Sequence, residues 1–291
     1  MPIEYQRLLD WRIPTVEQTY SEKDVILYGL GLGLGLDADD PHQLGFVYEK
    51  GLRILPTQAA VLGYPGFWLS DPGTGVDWQH VLHGEQGLIV HRPLAVAGEV
   101  VGRTRVEAIV DKGAGKGALL YSTRELLDAR TDERICTLTT THFLRADGGF
   151  GGPAGPVKPV AAMPTTPPEV TQDIPTSRQS ALIYRLSGDR NPVHADPDIA
   201  RSAGFARPIL HGLASFGMAA YAVIKCFCEG EPARLRSISV RFSAPVFPGE
   251  TLRMQMWRSG AERALFRCTV VERDALVLNN GLAEFTPEPS T

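Results

Sequence analysis

Cysteine is scarce in this chain. There are four in 291 residues, Cys136, Cys226, Cys228 and Cys268, too few and too unevenly spaced for a disulfide scaffold. Cys226 and Cys228 are separated by a single residue, too tight a spacing for a zinc knuckle, so all four read as reduced thiols of a reducing compartment. No apolar run reaches the ~20 residues needed to cross a bilayer, which argues against a membrane-spanning helix. Neither sign of charge dominates: 29 Lys and Arg stand against 33 Asp and Glu, net -4, and the basic footprint of a nucleic-acid binder is missing. The start, MPIEY, lacks the basic and apolar stretches of a secretory leader. The end, PEPST, carries no sorting tail. The expected location is the cytoplasm. What remains is an ordinary globular composition, 43% hydrophobic and 21% charged, in a chain long enough for two domains.

Glycine and proline are plentiful but unevenly placed. Residues 148–156 read GGFGGPAGP, which no helix or strand can use. This predicts a linker over 147–175, between domains at 1–146 and 176–291. The two flanks are weakly alike. Residues 26–28 (ILY) match 182–184 (LIY), and twelve residues after each tyrosine comes Asp-Pro, as Asp40-Pro41 and Asp196-Pro197. Residues 93–99 (PLAVAGE) match 245–250 (PVFPGE). Three matches in one order favour a duplication over coincidence. Alternating polar and apolar residues follow, at 96–110, 117–128 and 135–145, and again at 234–242, 251–257, 265–271 and 275–285. They predict strands. Each half is helix first and antiparallel strands later, an α+β layout.

The densest chemical signal is residues 184–194, YRLSGDRNPVH. Gly188 and Pro192 stop a helix from running through, and Asn191 before the proline is biased to extended backbone. A bent loop can aim Asp189 and His194 at one small volume. A carboxylate and an imidazole that share one water form an acid/base pair suited to adding water to a polarised double bond. The alternative is a surface loop with Asp189 in an Asx-turn and His194 solvated. Asp196-Pro197 then predicts a short helix, by N-cap and first-turn proline. After GFARPILHG at 204–212, residues 213–227 are apolar nearly all round and predict a buried helix. Gly212 falls in its first turn, where backbone N–H groups lack internal partners and the dipole is positive. Its N–H is a candidate oxyanion donor. His211 reads as a packing residue at the start of the helix.

The duplication is informative where it fails. With the tyrosines aligned, Gly33 stands opposite Asp189 and Ala38 opposite His194, so the first half has no acid/base pair. Residues 62–75, LGYPGFWLSDPGTG, forbid a long helix. A sheet without its central helix is expected to leave an apolar hollow with room for a long or bulky apolar group.

The segments SGDRNPVH and PILHG resemble the hydratase 2 motif of the MaoC-like, R-specific enoyl-CoA hydratases. DVILYGLG at 24–31, LPT at 55–57 and VLHGEQ at 81–86 are similar to the non-catalytic half of the two-domain members. The resemblance covers nearly the whole chain. It implies a tandem hotdog fold, two curved antiparallel sheets around a central helix, with the N-terminal repeat degenerate. It implies Asp189 and His194 as a catalytic dyad, Asn191 as support of the loop, and the Gly212 N–H as donor to the thioester carbonyl. The implied reaction is (R)-specific hydration of trans-2-enoyl-CoA to (3R)-hydroxyacyl-CoA; in it Asp189 is the favoured base and His194 orients the water and handles the proton for the α-carbon, two roles that the sequence allows to be shared or exchanged. No cofactor or metal is implied beyond the coenzyme A of the acyl-CoA substrate. Arg190, Arg207, Lys225 and Arg241 are candidate partners for its phosphates. A homodimer is compatible with this reading. The alternatives are a related hotdog dehydratase or hydratase acting on a carrier-protein-bound, branched or ring-bearing acyl thioester, and a non-catalytic acyl-CoA binding protein. A thioesterase fits poorly, since residues 213–227 lack the acidic residue those enzymes place on the central helix.

Other signals are set aside. In GLGLGLG at 29–35 the glycines fall at every second position, which does not match the dinucleotide fingerprint. His80, His83 and Glu85 could approach a metal but lack a third strong ligand and a base. Tyr64, Trp68 and Trp78 read as core or tunnel lining.

Overall fold

The computed structural model describes residues 3–286. Met1, Pro2 and residues 287–291, on which the readings of a leader and a sorting tail partly rest, lie outside them.

The alternating segments form one antiparallel sheet. The first half supplies β1 (Val16–Tyr20), β2 (Val81–Val90), β3 (Gly98–Asp111), β4 (Ala118–Asp128) and β5 (Arg134–Leu144). The second supplies β6 (Val170–Pro175), β7 (Leu235–Phe242), β8 (Thr251–Arg258), β9 (Arg263–Val270) and β10 (Ala275–Phe285). Their order is β1-β3-β4-β5-β2-β7-β10-β9-β8-β6. From the centre outward the two halves run through equivalent strands, related by an axis between β2 and β7, where Gly87 lies opposite Ser239. This is the tandem hotdog layout. The repeat signals fall at equivalent places: PLAVAGE leads into β3 and PVFPGE into β8.

Among the described residues six α-helices accompany the sheet: α1 (Tyr5–Leu9), α2 (Glu22–Gly31), α3 (Pro41–Leu44), α4 (Ser180–Tyr184), α5 (Pro197–Ser202) and α6 (Gly212–Phe227). The buried-helix prediction is met by α6. It packs on β2, β6, β7, β9 and β10, and Phe216 and Ile224 have no exposed surface. Burying each such side chain is worth about 1.5–3 kcal/mol. The tyrosines that mark the repeat meet at the seam between α2 and α4, with ring centroids 5.7 Å apart. The glycine run explains how closely these helices approach: a Cβ on Gly31 would sit 2.9 Å from the Tyr184 Cα.

The first half has no counterpart of α6, as its glycines and prolines require, but the expected apolar hollow is not there. A 3-10 turn at Pro56–Ala60 packs beside α6, and Ala59, Ala60, Val61 and Leu62 are buried. Further 3-10 turns at Trp68–Ser70 and Pro72–Thr74 cover sheet that a missing helix would leave bare. Trp68 packs against a second apolar cluster around Leu8, Ile109 and Leu120. Trp78 is neither core nor tunnel, being 47% exposed with its ring edge-on to Phe67.

Residues 145–169 contain no helix or strand. Asp111 anchors their start by accepting from the Gly149 and Gly151 N–H groups at 2.7 and 2.9 Å. Tyr121 and Trp257 alternate with the core residues Leu120 and Met256, so they point to the sheet face away from α6. The linker crosses that face: the Lys158 N–H donates to Tyr121 Oη, Asn280 Nδ2 to the Ala161 carbonyl, and Trp257 Nε1 to the Thr166 carbonyl. Residues 170–175, placed in the linker by composition, form β6 instead. That strand pairs only with β8, and its alternation is too short to stand out.

Candidate active site

The loop between α4 and α5 is built as its turn residues dictate. Gly188 takes φ 134°, a value that disfavours any side chain. Asp189 Oδ1 then accepts from the Asn191 N–H at 3.1 Å, and Asn191 Oδ1 accepts from the Val193 N–H at 3.1 Å. Pro192 opens a 3-10 turn that ends on His194. Asn191 is thus the cap of the turn that presents the imidazole. Asp196 caps α5 through the Asp198 and Ile199 N–H groups.

His194 is 8% exposed, and its Nδ1–H donates to the Ile209 carbonyl at 2.9 Å. That bond assigns the tautomer and leaves Nε2 as an acceptor. Burial lowers the His194 pKa, with the Asp189 carboxylate opposing the shift. The face of the ring lies on His211, centroids 3.7 Å apart. The His211 Nε2–H donates to the Asp189 backbone carbonyl at 3.1 Å. His211 is therefore more than helix packing: it ties the Asp189 loop to the start of α6 and backs the other imidazole. Spacing could not reveal this bond, because it joins residues 22 positions apart. The donor atoms of Asp189, His194 and His211 all lie within 4.8 Å of one another. The group could share a water, and its donor set could also hold a metal ion.

Gly212 is the first residue of α6, and no acceptor for its N–H is found among the described residues. The absent side chain matters, since a Cβ there would come within 3.2 Å of the Phe242 ring. One chain segment thus brings a carboxylate and an imidazole acceptor together against His211, whose neighbour Gly212 offers an unpaired N–H at the helix start.

The four candidate cations are placed differently. Arg190 is exposed beside Asp189. Arg207, on the segment leading to α6, donates to the Pro248 carbonyl at 3.0 Å. Lys225 stands at the other end of α6 and bonds Asp40 at 3.2 Å. Arg241 alternates with the core residue Val240, so it points to the face away from α6, where it pairs with Glu85 at 2.7 Å. Lys225 and Arg241 are thus not brought to the dyad. His80 and His83 do not converge: His80 bonds Asp77, and His83 bonds Gln86 on the interior face.

Burial of the two stacked imidazoles has a consequence for stability. His211 is pushed down to about 3 from an ordinary value of 6.5, chiefly by desolvation and then by His194. The unfolded chain takes up protons that the folded site refuses. Stability is complete above the unfolded value and declines as pH falls below it, by about 1 kcal/mol per pH unit for such a histidine. Denaturant titrations at pH 7.5, 6 and 5 are expected to show this loss, with a shallower slope in His211→Gln. Equal slopes would contradict it.

The comparisons with known proteins agree with the fold. Residues 18–146 match the MFE-2 hydratase 2 N-terminal domain and residues 159–280 the MaoC like domain. The chain is 38% identical to the peroxisomal enoyl-CoA hydratase 2 of Arabidopsis thaliana, over 93% of this chain and 92% of that one. It is also 38% identical to 3-hydroxyacyl-thioester dehydratase Y of Mycobacterium tuberculosis, over 91% and 93%. The crystal structure of a MaoC-like dehydratase from Phytophthora capsici superposes with a TM-score of 0.86 at 34% identity, covering 98% of this chain and 99% of that one. The chain belongs to the MaoC-like, hydratase 2 family and is an enzyme of the hydro-lyase class. No helix among the described residues is long and apolar enough to cross a membrane.

Proposed function

We propose that this enzyme adds water to trans-2-enoyl-CoA thioesters and forms (3R)-hydroxyacyl-CoA. The observation that carries the reading is the convergence of Asp189 and His194 on His211, the residue next to the unpaired Gly212 N–H at the start of α6. One water donates one O–H to the Asp189 carboxylate and the other to His194 Nε2. Burial disfavours an imidazolium at His194, so His194 holds the water and Asp189 takes its proton as the oxygen attacks the β-carbon. The thioester oxygen gains charge and accepts from the Gly212 N–H, reinforced by the helix dipole. Asp189 then returns the proton to the α-carbon. Water and proton add to the same face, the atoms balance without a redox cofactor, and the enzyme ends as it began. Arg190 and Arg207 remain the candidates for the coenzyme A phosphates.

The names of the relatives support an acyl thioester as substrate, and the absence of an acidic residue within residues 213–227 disfavours thioester hydrolysis. The test is incubation with trans-2-decenoyl-CoA. Loss of the conjugated enoyl absorbance without release of free thiol is expected. Thiol release, or no reaction with any enoyl-CoA, would contradict the reading.

A further inference from the structure

The first half keeps the frame of the catalytic loop without its acid and base. Residues 32–40 are the twin of 188–196. Both loops follow a repeat tyrosine, and both carry a positive-φ glycine near their start, Gly33 at 84° and Gly188 at 134°. Both end on an Asp-Pro cap: Asp40 accepts from the His42 N–H at 2.9 Å, as Asp196 does from the Asp198 N–H at 2.8 Å. Each loop rests on the other half. A Cβ on Gly188 would sit 3.6 Å from the Val61 carbonyl oxygen, and one on Gly217 of α6 would sit 2.8 Å from Leu32.

Beside the twin loop the structure leaves a cavity of about 200 Å³. Leu32 and Leu34 of the loop, Ile174 of β6 and Met218 of α6 line it, and all four are buried. The cavity opens to solvent at Leu36 and Asp37, both exposed, the leucine at 54%. It lies between the loop and the second half, apart from the first-half interior that the 3-10 turns fill.

The polar groups of the wall decide what it can take. Lys225 is matched by Asp40 at 3.2 Å, and Asp173 by Arg253 at 2.7 Å. Asp37 holds the Asp39 N–H through Oδ1 and has no cationic partner among the described residues. The charge left over is negative and opposes carboxylates and the phosphates of coenzyme A. Apolar walls also penalise any charge that enters. Gln172 Oε1 accepts from Cys226 Sγ at 3.3 Å, which leaves its amide N–H groups without a partner among the described residues. Tyr221 lines the same space, is 4% exposed, and its hydroxyl has no partner among the described residues. Apolar walls with unused donors suit a neutral guest that carries one acceptor oxygen. A cavity of ~150 Å³ holds benzene, so this one has room for about seven or eight non-hydrogen atoms.

We propose that the twin loop forms a second binding site, separate from the dyad, for a small neutral molecule with an apolar body and one hydroxyl or carbonyl oxygen. The proposal does not depend on the hydratase reading. Met218 reports on the site directly, because the chain has only five methionines. The experiment follows the ¹³C-labelled methionine methyl groups of the whole protein by NMR during titration with 1-hexanol or hexanoate, with Met218→Leu to assign the signal. A saturable shift of the Met218 signal is expected with 1-hexanol, and binding at least about tenfold weaker with hexanoate, whose charge would be desolvated. Ile174→Phe, which fills the cavity, is expected to abolish the shift. Gln172→Leu with Tyr221→Phe keeps the space and removes the donors. It is expected to weaken 1-hexanol binding by about tenfold, the scale of one hydrogen bond. No saturable shift in the wild-type protein, equal binding of hexanoate, or undiminished binding in either variant would overturn the proposal.

Discussion

Asp189→Asn and His194→Gln are each expected to lower kcat/KM for an enoyl-CoA by about 10²–10⁴-fold, the usual worth of a positioned acid/base group, while the fold is kept. The structure gives the reason for both halves of that expectation. In Asp189→Asn the side-chain carbonyl can still accept the Asn191 N–H, now at 3.1 Å from Oδ1. The His211 bond to residue 189 goes to the backbone and is untouched. The base is lost and the loop is not. In His194→Gln the amide can still donate to the Ile209 carbonyl, but no ring nitrogen remains to hold the water. Steady-state kinetics with a thermal midpoint for each variant make the check. Activity within tenfold of wild type in either variant would remove that residue from the chemistry.

Gly212→Pro is expected to lower kcat by about 10²–10³-fold, because it deletes one oxyanion donor. The substitution is unusually clean. Proline is favoured at the first position of a helix, where its missing N–H has no intrahelical partner anyway. The residue before it must be extended, and His211 already has φ -60° and ψ 133°. Gly212→Ala is the control. It brings the same Cβ to within 3.2 Å of Phe242 but keeps the N–H. If crowding by Phe242 is all that matters, the two variants lose equal activity. If the N–H carries charge, the proline variant loses far more, in kcat rather than KM.

The parts of the site that could be read in the sequence are those written in turn residues. Gly188, Asn191 and Pro192 leave the loop few conformations, and the apolar run after Gly212 has one way to be buried, so dyad and helix both emerge from local rules. The rest depends on pairing between distant residues. Strands β1 and β6 are short edges, and β2 is broken by an irregularity at His83 and Glu85, so none of the three shows a clean alternation. Arg124 lies in a strand pattern where an arginine ordinarily faces solvent. Only the register with Leu138 and the loop carried over it turn it inward. The expected hollow failed for a related reason: glycine and proline forbid a long helix, but they do not forbid 3-10 turns from filling its place. Arg241 was a candidate phosphate contact until the pairing of β2 with β7 set it opposite Glu85.

The most direct test of the central claim, that one carboxylate–imidazole pair adds both water and proton, is hydration of trans-2-enoyl-CoA in D2O with assignment of both new stereocentres. A (3R)-hydroxyl with deuterium added to the same face at the α-carbon is expected. Addition to opposite faces, or a (3S) product, would contradict it.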